Sequence, residues 1–347
     1  MKKVLKYVLL ISFLSLAVLF CNQTVVKAVE INTISTMEEL KTVFGEKAII
    51  DGNIIKLTDN VLLENAVFEI NIPEVIIDFN GKTLEYKGDK YIKLLNKVTF
   101  QDSSTTNRQN WGEFIFNSSG VDTILVEKNA ELIINSGKFI DGGIKTSSKI
   151  NVYGKITIND ATFSTRRTQP VGAYNCMIQL RTSAVGVING GEFSHTDTII
   201  YVCGDKYRTK SELTVNGGNF TSANMDAIMI YAMYPYVDKN NNNQKEVITP
   251  KIVINDCNVN NKNGCIGFWG GCVDEEFINV DTKIITINGG TYKCSNLSSA
   301  APLEIRTYAD PNTYFNPKDF VLNGGTFESS SNSVGALRLL GPRKRRI

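Results

Sequence analysis

Val187-Ile-Asn-Gly-Gly-Glu-Phe193, Thr214-Val-Asn-Gly-Gly-Asn-Phe220, Thr286-Ile-Asn-Gly-Gly-Thr-Tyr292 and Val321-Leu-Asn-Gly-Gly-Thr-Phe327 are four copies of one phrase. Looser copies are Ile133-Ile-Asn-Ser-Gly-Lys-Phe139, Thr157-Ile-Asn-Asp-Ala-Thr-Phe163 and Val253-Ile-Asn-Asp-Cys-Asn-Val259. Each reads as the end of one strand, a tight Asn/Gly bend and the start of another, so each is a corner. Successive corners lie 24, 30, 27, 39, 33 and 35 residues apart. Equal corners at such intervals mean a chain wound repeatedly into similar coils, each stacked on its neighbour.

After each corner comes a further apolar strand: Cys176-Met-Ile-Gln-Leu-Arg181, Ile199-Ile-Tyr-Val-Cys203, Ala227-Ile-Met-Ile-Tyr231, Cys265-Ile-Gly-Phe-Trp269, Pro302-Leu-Glu-Ile-Arg306 and Ala336-Leu-Arg-Leu-Leu340. Strand side chains alternate with period 2, so one set enters the coil and the other leaves it. Short strands, regular turn chemistry and no sustained helical period predict an all-β parallel β-helix. At a strand spacing near 4.8 Å, about ten coils give a rod roughly 45–50 Å long. Stacked coils would superpose Asn135, Asn159, Asn189, Asn216, Asn255, Asn288 and Asn323 in a hydrogen-bonded ladder, the Asn tolerating a left-handed corner and the Gly residues after it relieving the cost of positive φ; the row could alternatively contact sugar. Phe139, Phe163, Phe193, Phe220, Tyr292 and Phe327 would stack inside.

Ahead of the coils, Thr36 with Glu39 forms a capping-box pattern, and Met37, Leu40, Val43 and Phe44 share one helical face. A helix there would cover the first open sheet edge. The expected organisation is a signal peptide over 1–28, a capping-helix segment over 29–50, the β-helix over 51–341 and a basic tail over 342–347. The leader rests on Lys2, Lys3 and Lys6 before an apolar stretch from Val8 to Phe20 and Val26-Lys-Ala28 as cleavage site. The apolar stretch is short for a bilayer, so stable membrane insertion is not expected, and bulky Phe20 argues against lipid on Cys21. The protein is therefore expected to be secreted or at the cell surface. The chain ends abruptly after Leu340 with no clear cap, which favours a piece of something longer.

Hydrophobic residues make up 42% and charged residues 21%, ample for a core. The net charge of +2 falls to −2 without Lys2, Lys3, Lys6 and Lys27, and the body without Arg343-Lys-Arg-Arg346 carries −6. That argues against a nucleic-acid partner. Six Cys remain beyond the leader, with no C-x-x-C spacing and a single His. They do not suggest zinc; they are buried fillers or include a local pair, Cys265 with Cys272.

The winding, the corner Asn residues, the N-terminal capping helix and the opening coil Ile76-Ile-Asp-Phe-Asn-Gly-Lys-Thr-Leu84 resemble the right-handed β-helix proteins of the pectate-lyase-like superfamily. The resemblance covers about residues 33–341. It implies a right-handed, single-stranded coil and a secreted or surface role. The lyases of that superfamily imply an Arg or Lys base, often beside calcium, for which Arg181 and Arg306 are candidates, with Asp274, Glu275 and Asp310 as calcium ligands. The R-x-P-x-x-R phrase of the lyases and the N-T-D, D-D and G-H-G phrases of the hydrolases are all absent.

On the outward side of the apolar strands fall Gln179, Arg181, Tyr201, Tyr231, Trp269, Glu304 and Arg306, with Cys203, Met229 and Arg338. Aromatic rings stack on sugar C–H faces, while Arg, Glu and Gln fix hydroxyls or carboxylates. Long loops at 204–210, 235–250, 270–282 and 307–319 would wall a groove, or would cover the stripe and make its aromatics a second core. Asp238, Asn240 and Asn242 resemble the start of a calcium loop, although Asn243 replaces its Gly and Thr249 its final Glu; a polar loop tip is the plainer reading. The leading expectation is a protein that binds polysaccharide or host glycan along this stripe. The alternatives are a lyase acting on uronate polymers, and a structural or adhesin spacer whose stripe is buried.

Overall fold

In the computed structural model, the described residues are 25–27, 33–64, 68–118, 123–143, 148–172, 175–203, 209–232, 236–238, 246–270, 282–296, 301–306, 317–331 and 335–340. They form the right-handed parallel β-helix that the corners predict, with three sheets of eleven strands each. Within a coil the chain runs through a first sheet, turns at the Asn corner into a second, and bends again into a third. One turn is Val185–Ile188, Glu192–His195 and Ile200–Cys203. Pairing is parallel throughout the stack except for Ala48–Asp51 against Ile54–Leu57, the hairpin that opens the first sheet.

Helix α1, Met37–Phe44, closes this end. Thr36 Oγ1 accepts from the Glu39 N–H while the Glu39 carboxylate accepts from the Thr36 N–H, the reciprocal cap its spacing predicts. Leu40 and Phe44 are buried, and Met37 and Val43 pack partly against the same core. Val25–Lys27, which lies ahead of the expected cleavage point, pairs in parallel with Leu62–Glu64. The rest of the expected leader, the basic tail and Cys272 lie outside the described residues.

The interior consists of columns of like residues. Ile150, Ile178, Ile200, Ile228, Ile266 and Leu303 superpose in the third sheet, each 1% exposed or less. Beside them Phe139, Phe163, Phe193 and Phe220 stack with centroids 5.1, 5.0 and 4.5 Å apart. Val259 interrupts the stack, and it resumes with Tyr292 and Phe327 at 4.7 Å. In the last coil described, the inward-column residues Leu337 and Leu339 are 47% and 55% exposed.

Seven Asn side chains form the ladder. Each Nδ2 from Asn159 to Asn323 donates to the Oδ1 of the preceding coil's Asn at 2.7–2.8 Å. The left-handed backbone of the corner is carried by the Gly that follows, as expected, and not by the Asn. It falls on the second residue after Asn, as at Gly191 (φ 123°), Gly218 and Gly290, and none of the seven Asn has positive φ. The first Gly serves clearance instead: a Cβ on Gly324 would stand 2.5 Å from the Asn288 carbonyl oxygen.

Two substitutions separate the forces holding the stack. Phe193→Ala should cost about 3–5 kcal/mol, from lost burial plus a cavity between two rings. Asn216→Ala removes two exposed ladder bonds and should cost about 1–2 kcal/mol. Urea denaturation of both variants measures the ordering; an Asn216→Ala cost above that of Phe193→Ala would contradict it.

Candidate functional site

The outward side chains of the third sheet stand in two adjacent columns. One contains Asn151, Gln179, Tyr201, Met229, Gly267, Glu304 and Arg338. The other contains Cys203, Tyr231, Trp269 and Arg306, with Arg181 next in line after Leu180. The register agrees with the outward side that alternation assigns to these residues, but their exposure differs from one end to the other. Tyr201 is 1% exposed and Gln179 is 7% exposed. With Cys176, Cys203 and Met229, Tyr201 forms a second apolar cluster outside the coil, and Met225, Tyr231 and Trp269 pack partly against it. This stretch of the stripe is the second core that was the alternative to a groove.

Arg181, proposed as a base, donates from Nε to Asn151 Oδ1 at 3.0 Å. Arg306, the other, donates from Nε to Glu304, and its guanidinium lies 4.5 Å over the Trp269 ring. Both are engaged in orienting contacts. Of the calcium-loop residues, Asp238 lies in a short antiparallel pair, its backbone opposite Glu246, while Asn240 and Asn242 lie outside the described residues. Asp274, Glu275 and Asp310 lie outside them as well. No group of three or more His, Cys, Asp or Glu among the described residues is arranged to hold a metal ion.

The open part of the stripe is a cleft of about 300 Å³ near the far end of the rod. Its walls include Asn224, Asn263, Trp269 and Arg306, and Asp226 and Glu304 contribute two acids. Glu304 is 5% exposed and is held from two sides, by Arg306 Nε at one oxygen and by Arg338 Nη1 at the other, 3.2 Å away. Asp226 is different. It is 7% exposed, and its carboxylate has no hydrogen bond or ion pair among the described residues. Burial pushes its pKa up to about 7, the Glu304 charge adds to this, and Arg306 opposes it.

The backbone beneath Asp226 is firmly held. Asn261 accepts from the Ser222 N–H at 2.6 Å and donates to the carbonyls of Met225 at 3.2 Å and Gly264 at 2.7 Å. Asn224 donates to the Thr196 carbonyl and receives Asn263 on its own. The next coil leaves room for the carboxylate by omitting side chains. A Cβ on Gly264 would lie 1.8 Å from Asp226 Oδ1, and one on Gly267 would lie 2.0 Å from Oδ2.

Sequence reasoning missed Asp226 because it precedes the apolar strand and belongs to neither alternating face. A signal existed in the columns. Two residues before the aligned Ile of successive coils stand Ser148, Cys176, Thr198, Asp226 and Gly264. One carboxylate among small residues, followed a coil later by Gly264 just before the strand and Gly267 within it, marks a place where something is being accommodated.

A second acid cluster provides the contrast. Asp141, fully buried, faces Lys149 Nζ at 3.3 Å, Arg167 Nε at 3.0 Å and His195 Nε2 at 3.3 Å, and accepts from the Gly143 N–H at 2.9 Å. Nδ1 of His195 accepts the Asp197 N–H at 3.1 Å, which leaves the ring proton of the neutral imidazole on Nε2, facing Asp141. Burial would raise the Asp141 pKa, but the His195 bond, the Lys149 charge and the Gly143 N–H together hold it well below the usual range. Every partner is supplied and the group is sealed, so this cluster knits coils together. The five described cysteines are likewise buried. Cys265 has Cys294 as its near neighbour, with sulfurs 3.6 Å apart, while the expected partner Cys272 lies outside the described residues.

Comparison with protein-family models, with curated proteins and with solved structures finds no match to this chain.

Of the buried aspartates, Asp141 and Asp226 affect stability with opposite sign. Asp141 is depressed, so its contribution is present above its unfolded value and fades as pH falls below about 4. Asp141→Asn should cost about 3–5 kcal/mol at neutral pH, because it strands Lys149 and Arg167. Asp226 is raised, so the folded state favours its protonated form, and stability is lost as pH climbs from about 4 to about 7. Asp226→Asn should therefore stabilise the protein at pH about 8, on the order of 2–4 kcal/mol, and clearly less at pH about 5. Denaturant midpoints of both variants across pH check the signs; equal effects of Asp226→Asn at both pH values would show that the carboxylate is not strained.

Proposed function

We propose that this chain is a β-helix protein that binds polysaccharide or host glycan, and that it does so in the cleft of Asp226, Trp269, Glu304 and Arg306 rather than along the whole stripe. The observation that carries this reading is the half-buried Trp269 indole, fixed by Arg306 stacking, beside a carboxylate with no partner among the described residues and the amides of Asn224 and Asn263. An apolar ring edge among fixed donors and acceptors suits a molecule that is apolar on its C–H face and hydroxylated at its rim. The volume, at the small end for ligand sites, suits a short stretch of a longer chain lying across the rod.

The lyase reading has less support, since Arg306 is bound to Glu304 and Arg181 to Asn151. Burial of Tyr201 and Gln179 favours the spacer reading for the middle of the rod. Export to the outside or the cell surface is part of this proposal, and rests on the basic and apolar pattern of residues 1–28.

Glycan-array binding of the protein, followed by affinity measurement on the retained glycans, tests the proposal. Trp269→Ala should weaken binding at least tenfold, or about 1.4 kcal/mol, with the thermal transition retained. Unchanged affinity would remove the cleft from recognition, and no retained glycan at all would leave the spacer reading in front. Release of an ultraviolet-absorbing unsaturated product from uronate polymers would instead establish a lyase.

A further inference from the structure

Resting on the glycan-binding reading, we propose that the cleft selects sugars that carry a free amine, the amine pairing with the Asp226 carboxylate. The charges around the cleft lead there. Glu304 already engages both guanidinium groups that could greet an anion, through Arg306 on one oxygen and Arg338 on the other. A uronate carboxylate would have to compete with Glu304 for those arginines and would meet the Asp226 carboxylate besides.

Asp226, by contrast, has no hydrogen bond or ion pair among the described residues, and the nearby Arg306 that acts on its charge is held by Glu304. Asp226 is 93% buried and borders the cleft. A buried carboxylate in that condition is costly unless a partner arrives. Gly264 and Gly267 show that the space around its oxygens is kept by omitted side chains, since any Cβ at either position would collide with it. In the column of Gly267 the neighbouring coils carry Met229 and Glu304.

An ammonium group supplies what is missing: a positive charge and up to three N–H donors on a compact head. A neutral hydroxyl supplies a donor without the charge, and an N-acetyl group blocks the charge while adding bulk. The site should therefore rank amine over N-acetyl and hydroxyl, and all of these over uronate. The residual burial cost of Asp226, raised to about 7 by its surroundings, is what such a ligand would relieve. Retaining an unfavourable buried group where an Asn would fit is understandable if binding makes use of it.

The experiment is titration calorimetry of the full chain near neutral pH with four probes: a glucosamine hexamer, its N-acetylated counterpart, a galacturonate hexamer and a hexalysine peptide. The glucosamine hexamer should bind at least tenfold more tightly than any other. Asp226→Asn should erase that preference while folding normally, and Gly267→Ala, which drives a methyl into the carboxylate, should erase it independently. Glu85→Gln, in the separate cleft on the second sheet, should leave it intact. Equal or tighter binding of the N-acetylated or galacturonate hexamer would overturn the amine preference and leave glycan binding standing. Equal binding of hexalysine would show attraction by charge alone and overturn the sugar assignment. If none of these probes binds but the array retains a neutral glycan, the amine preference fails by itself; if no glycan is retained either, both readings fail together.

Discussion

Parallel stacking in register places each residue of one coil directly on its counterpart in the next, about 4.8 Å away, and the rest of this molecule follows from that closeness. A position can be occupied repeatedly only by residues that tolerate their own kind at that distance. Ile on Ile fills the interior of the third sheet, Phe on Phe the second, and Asn on Asn the corner, because each pair is either close-packed or self-complementary in hydrogen bonding. Like charges cannot be repeated in this way. They alternate instead, as in the outward series Glu74, Lys97, Glu131 and Lys155.

A column that breaks its own rule is consequently informative. Asp141 breaks the interior rule and is answered at once by Lys149, Arg167 and His195, drawn from neighbouring coils and corners. Asp226, at the edge of the cleft, has no ion pair or hydrogen bond among the described residues, and the next coil accommodates it by omitting side chains at Gly264 and Gly267. The first arrangement converts buried charge into cross-coil attachment. The second leaves a buried carboxylate beside a cleft with no ion pair or hydrogen bond among the described residues. Burial is similar in the two places; the supply of partners separates structure from candidate function.

The outward stripe shows how far pattern reading reaches. Alternation assigned Tyr201, Tyr231, Trp269, Glu304 and Arg306 to one side of the strand, and their registers agree. Exposure does not follow from side. Tyr201 and Met229 bury one another with Cys176 and Cys203, residues from different coils whose meeting depends on the lateral stacking of whole turns. The same holds for Cys265 and Cys294, 29 residues apart yet brought together where one coil's bend lies under the next coil's strand end.

The sequence alone determined the coil, its corners, its capping helix and the direction of each strand side chain, because these depend on local turn chemistry and on a period that repeats within a few residues. The capping box of Thr36 and Glu39 and the Asn ladder are both contacts between positions whose spacing is written in the chain. Which acid is satisfied and which is not was decided only by tertiary structure. Asp226 meets Gly264, Gly267, Glu304 and Arg306 across intervals of about 40 to 80 residues containing loops of unequal length. Loop lengths do not disturb the stacking of strands, so they hide from sequence spacing the side chains that stacking brings face to face.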